Sequence, residues 1–118
     1  MRQYNEQLAD RLREALADLP QVEEKVMFSG VSFLVNGKMC INVSHDELMC
    51  RIGRQEAEKC VEENGCRQMM MRGKPMRDFV MVSEEGYRTK KQLDHWINLC
   101  LAFNKQAKAS PKKKKKTE

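Results

Sequence analysis

The chain has 118 residues, 41% hydrophobic and 33% charged, which is the size of one domain able to bury a core without disulfide or metal staples. Basic residues number 22 and acidic residues 17, a net charge of +5, but five consecutive lysines at 112–116 hold most of the excess and leave the body nearly neutral. No run reaches the roughly 18–20 apolar residues of a membrane span, and the first twenty residues show neither an apolar stretch nor a small-residue cleavage site, so a secretory signal is excluded.

The first predicted element is a helix capped by Asn5, with Leu8, Leu12, Ala15, Leu16 and Leu19 on one face and Asp10, Arg11, Arg13 and Glu14 on the other. Pro20 is expected to stop it. The period then shortens to two. Lys25-Val26-Met27-Phe28 reads as a short strand ending at Ser29-Gly30, and Val31 to Val35 as a second. Asn36-Gly37 is the strongest short hairpin signal, because both residues tolerate positive φ. Met39 to Val43 returns antiparallel, with Met39, Ile41 and Val43 expected on one face; Ser44-His45-Asp46 is a turn; Leu48 to Ile52 is the next strand. Arg54 to Asn64 reads as a short middle helix with Gly65 as its left-handed cap. Arg67 to Met71 and Met76 to Val82 form a second hairpin about Arg72-Gly73-Lys74-Pro75, and Ser83 to Tyr87 reads as a turn.

A last helix runs from about Thr89 to Lys108, presenting Leu93, Trp96, Ile97, Cys100, Leu101 and Asn104 at helical spacing. Leu99 and Phe103 widen that stripe beyond an ordinary amphipathic face. Two readings fit: burial between the sheet and the first helix, or contact with a partner or a second copy. The expected architecture is a single α+β domain over residues 1–108, with an antiparallel sheet of about five strands, two hairpins, and N-terminal, middle and C-terminal helices. Residues 109–118 form a lysine-rich tail expected to be disordered.

A catalytic centre does not emerge. Ser44-His45-Asp46 has the letters of a hydrolase triad, but neighbouring side chains on a turn diverge instead of forming a relay. His95 falls opposite the apolar stripe of its helix, where exposure is expected. Metal binding fails on spacing: there is no Cys-x-x-Cys, and Cys60 and Cys66 straddle a glycine. Cys40, His45 and Cys50 converge only if their strands align them. Phosphate-cradling glycine motifs are absent. The reading therefore assigns no catalytic residue, no metal and no cofactor. The five cysteines, odd in number and unpatterned, point to reduced thiols in the cytoplasm.

Binding surfaces are better supplied. Nine methionines outnumber the seven aromatic residues, and Met69, Met70, Met71, Met76 and Met81 crowd the second hairpin. Thioether chains fill irregular cores and also make adaptable contacts, and alternation turns at least one of Met69–Met71 outward. Met69, Met70, Met71, Leu99 and Phe103 are the candidate interaction surface. Acids outnumber bases over residues 1–66 and bases outnumber acids over 67–110. Arg67, Arg72, Lys74, Arg77, Arg88, Lys90 and Lys91 are thus a candidate basic patch for phosphate contacts.

Val22-Glu23-Glu24-Lys25-Val26-Met27-Phe28-Ser29-Gly30-Val31-Ser32-Phe33, then Asn36-Gly37-Lys38-Met39, then Gly73-Lys74-Pro75-Met76-Arg77-Asp78-Phe79-Val80 resemble the TfoX N-terminal domain family, that of the TfoX/Sxy regulators of natural competence. The resemblance runs from about Tyr4 to Phe103. Ser29 stands where the family usually has a first glycine, and Asp78 where a glycine often precedes the phenylalanine. The resemblance implies an antiparallel sheet flanked by helices, with no catalytic residue or cofactor, in a stand-alone member without the regulators' C-terminal domain. The expected function is a non-enzymatic regulatory module acting through protein contacts, with the transcription machinery or a second copy as partner. The alternative is sequence-independent nucleic-acid binding by the basic second half, with a weak contact through the lysine tail.

Overall fold

A computed structural model of the chain describes residues 4–27, 30–63 and 65–107. The lysine-rich tail lies outside the described residues, as do Phe28, Ser29 and Asn64 of the segments read above. The elements in order are α1 (Glu6–Ala15), β1 (Val22–Met27), β2 (Gly30–Val35), β3 (Lys38–Ser44), β4 (Glu47–Arg51), α2 (Arg54–Cys60), β5 (Cys66–Met71), β6 (Lys74–Val82), α3 (Glu84–Tyr87) and α4 (Lys90–Asn104). The domain is α+β. Its six strands form one sheet in the order β1-β2-β3-β4-β6-β5, every neighbouring pair antiparallel.

Local chemistry accounts for most of these boundaries. The Asn5 side chain accepts from the Leu8 N–H at 3.0 Å and starts α1. The helix ends at Ala15, well before Pro20, because the chain turns over residues 16–18 to carry Leu19 back onto the core. Asn36-Gly37 and Arg72-Gly73 both make two-residue turns with positive φ at each position, the geometry that matches strand twist. α2 stops at Cys60 rather than at Asn64. Gly65 does take a left-handed φ of +80°, and a Cβ there would stand 2.5 Å from the Gly86 backbone nitrogen, so close approach to α3 demands glycine as much as the dihedral does. The segment read as a turn at Ser83 to Tyr87 contains the short helix α3. Thr89 and Gln92 close a full capping box on α4.

One register expectation fails. Phe33 pairs with Ile41 and Leu34 with Met39, leaving Cys40 as an extra residue in β3. That bulge turns Cys40 and Ile41 toward the same side and sends Met39 to the other. Met39 therefore does not share a face with Ile41 and Val43.

The helices all contribute to one core on one side of the sheet. Leu8, Leu12, Ala57, Tyr87, Leu93, Trp96 and Ile97 pack there with Val31, Phe33, Ile41, Val43, Leu48, Val80 and Val82. A second, separate cluster of Met39, Met49 and Met69, flanked by Met71, Met76, Phe79 and Met81, lies on the opposite side. No helix contributes to it among the described residues.

Candidate functional site

Strand alternation builds the methionine face. Asn42, Met49, Met81 and Arg67 stand side by side across β3, β4, β6 and β5, each on the side away from the helices. Next to this row the β5–β6 ladder breaks: Gln68 pairs with Val80, but Met70 pairs with Pro75, so β6 carries extra residues opposite Met69. The Gln68 amide repairs the gap by donating to the carbonyl oxygens of Met69 at 3.1 Å and Met76 at 2.7 Å. The result is a cavity of about 350 Å3 lined by Met49, Met69, Met70, Met71 and Met81, with Ser44, Arg67 and Gln68 at its polar edge.

Its borders are fixed while its lining is soft. Arg67 binds both oxygens of Glu47, one of them at 2.7 Å, and this hydrogen-bonded ion pair holds the Glu47 carboxyl below its ordinary value. Asn42 is buried beside Met49 and donates its amide to Ser32 Oγ. At the end of β4 the Arg51 guanidinium lies 6.0 Å from the Phe79 ring centroid and 5.7 Å from that of Phe103. The thioether chains between these anchors have three rotatable bonds each and can refit to a guest.

The predicted surface divides. Met69 is buried, Met71 half-buried, and Met70 is 55% exposed, so the expected outward methionine is Met70. Leu99 and Phe103 do not line this cavity, which Phe103 meets only through Arg51 at its border. They border a separate groove of about 350 Å3 between the start of α2 and the end of α4, where Phe103 covers Gly53. Leu99 packs against the helix-side core, which favours the burial reading of the wide stripe. A third groove of about 580 Å3 runs between α1 and α4, rimmed by Arg11, Glu14, Lys90 and Asp94. The alternation rule also draws in Met49 of β4, beside Met81 of the crowded hairpin.

The basic patch falls into two groups, Arg67, Arg72, Lys74 and Arg77 on the β5–β6 hairpin and Arg88, Lys90 and Lys91 at the α3–α4 junction. Carboxylates meet three of them: Glu47 at Arg67, Glu84 at Arg88 at 3.9 Å, and Asp94 at Lys90 at 2.9 Å. Those three are partly spent inside the molecule. Arg72, Lys74, Arg77 and Lys91 are exposed.

Ser44 ends β3, pairing with Glu47 of β4, and His45-Asp46 makes the turn between them, with His45 exposed at φ +56° and the Asp46 carboxylate accepting from Asn5 at 3.2 Å. All five cysteines are free and buried. Cys40 is hydrogen-bonded to Cys100, and that bond together with burial holds its thiol far above the ordinary range. Burial raises Cys66 to about 11. Burial first, and then the neighbouring Glu63, raise Cys60 to about 12. Around Cys60 sequence reasoning missed a grouping: ligand atoms of Cys60, Glu63 and His95 all lie within 4.8 Å of one another. Cys60 and Glu63 are three apart at the end of α2, but His95 comes from α4, so no spacing rule over a short window finds it.

No helix among the described residues is long and apolar enough to cross a membrane. A family model described as the TfoX N-terminal domain matches residues 14–104. No curated protein and no solved structure matches the chain.

Proposed function

The chain belongs to the TfoX N-terminal domain family, and from that membership we propose a non-enzymatic regulatory module that receives an apolar segment of another protein on the methionine face of its sheet. The observation that carries this reading is the cavity lined by Met49, Met69, Met71 and Met81, with exposed Met70 at its rim, on the side that no helix covers among the described residues. An antiparallel sheet with one free face ordinarily presents polar side chains there. Flexible apolar ones favour a protein guest whose shape they can follow. The Arg67–Glu47 pair at the edge supplies orientation more than affinity. Five buried, reduced thiols suit the cytoplasm as the place of action.

Nucleic acid is the weaker guest, since three of the seven basic residues already meet acids and no aromatic platform accompanies the rest. A photo-crosslinking residue placed at exposed Met70 in living cells tests the reading, with the same group at Lys59 on α2 as control. A discrete adduct to a different protein, found at Met70 and absent at Lys59, is expected. A nucleic-acid adduct, an adduct only to a second copy, or none at all overturns it.

A further inference from the structure

Away from the methionine face, α2 and α4 bring together three side chains that share nothing in sequence. Cys60 is the last residue of α2. The Glu63 N–H donates to the Cys60 carbonyl at 2.8 Å, and this tight turn sets the Glu63 carboxylate beside the thiol. α4 supplies His95, whose ring stands edge-on to Trp96 at 4.9 Å between centroids, while the Trp96 indole is itself anchored to the Gly86 carbonyl at 2.8 Å.

We propose that Cys60, Glu63 and His95 bind a zinc ion, with the fourth coordination position open to solvent. Distances support it. His95 Nε2 is 3.6 Å from Glu63 Oε1, too far for a good hydrogen bond. It is close to the roughly 3.3 Å edge that a nitrogen and an oxygen span on a tetrahedral zinc with bonds of about 2.0–2.1 Å. With all three ligand atoms inside 4.8 Å, small side-chain rotations bring them to bonding distance.

The donor set is one sulfur, one nitrogen and one oxygen, a mixture that suits zinc better than the hard, all-oxygen ions. Burial is graded. Cys60 is 2% exposed, whereas the Glu63 and His95 side chains are each 47% exposed, so the thiol forms the floor and the other two the rim. Over the rim opens a cleft of about 390 Å3 lined by Glu63, Gly86, Lys91, Gln92, His95 and Trp96, with room for a water or a small ligand on the ion. Binding is charge-balanced: the Cys60 thiol gives one proton to solvent as its sulfur–zinc bond forms, and thiolate and carboxylate together neutralise the dication. The bound ion ties the end of α2 to α4.

Cobalt(II) reports on this site directly, because a cobalt–thiolate bond has its own charge-transfer absorption. Titrated into the reduced full-length chain, cobalt is expected to give that band at one ion per chain, and zinc to displace it. Cys60→Ser removes the band. His95→Gln lies at an exposed position that leaves the fold intact by circular dichroism, and weakens zinc by more than about 100-fold, the upper end of what losing even an outer-shell partner costs. Cys66→Ser leaves band and affinity as they are. Absence of the band in the parent chain, its survival in Cys60→Ser, its loss in Cys66→Ser, or unchanged zinc affinity in His95→Gln each overturns the site.

Discussion

The two faces of the sheet bury apolar side chains by different means. On the helix side Val31, Phe33, Ile41, Val43, Leu48, Val80 and Val82 are branched or aromatic and no more than 2% exposed, and α1 and α4 set Leu12, Trp96 and Ile97 against them. On the other side Met39, Met49, Met69, Met71, Met76 and Met81 meet chiefly one another and Phe79. Stiff side chains hold one rotamer and so specify one packing. Methionine keeps several conformers, loses more entropy when fixed, and is fixed only when something holds it. A single strand carries both, with Met49 set between Leu48 and Cys50. One face defines the fold and the other is left adaptable.

The sharpest way to break this comparison is to truncate one residue from each side. Trp96→Ala removes the largest buried side chain and its hydrogen bond to Gly86, and is expected to cost about 3–5 kcal/mol. Met71→Ala, half-buried on the open side, is expected to cost about 1 kcal/mol. Urea midpoints read both. Equal losses would mean that the methionine cluster is an ordinary second core.

A smaller effect sharpens the picture of the cavity edge. The Arg67 hydrogen bond lowers Glu47 below its ordinary 4.5. A group lowered in the folded state contributes stability that is fully present above its unfolded value and is lost as pH falls through the folded one. Because Arg67 is 58% exposed, solvent screens the pair to roughly 0.2–1 kcal/mol. Arg67→Gln should therefore lose that amount at pH 7, and the gap to the parent should close as urea melts are taken below pH 4.5. A gap that persists in full at pH 3 assigns the loss to packing of the arginine stem instead.

What the sequence made legible follows from how local the physics is. Asn36-Gly37 needed only its own dihedrals to place a hairpin, and Asn5 and Thr89 only their hydroxyl or amide oxygens to start helices. The bulge at Cys40 depends on which residue of β2 faces it, so period two placed Met39 on the wrong side. Pro20 looked like a helix stop, but the tertiary pull of Leu19 toward the core ends α1 earlier. The methionine count pointed to the right hairpin; the cavity also needs Met49, which β4 brings beside Met81 of β6. Leu99 and Phe103 were grouped with it because both were surplus to a helical stripe, and only the packing of α4 beside α2 shows that they serve a different groove.

The smallest effect concerns chemistry at the open face. Dilute hydrogen peroxide oxidises a thioether in proportion to its exposure. Met70, at 55% exposed, should take up oxygen before Met49, at 2%, with peptide mass spectrometry following each site. Sulfoxide at Met70 alone should move the urea midpoint by no more than about 0.5 kcal/mol, the ordinary range for a surface change. It should nevertheless weaken capture of an apolar guest, because the oxidised chain is polar where the cavity opens. If early oxidation of Met70 instead unfolded the domain, that residue would be holding the sheet together, and the division into a defining face and an adaptable one would fail at its most exposed point.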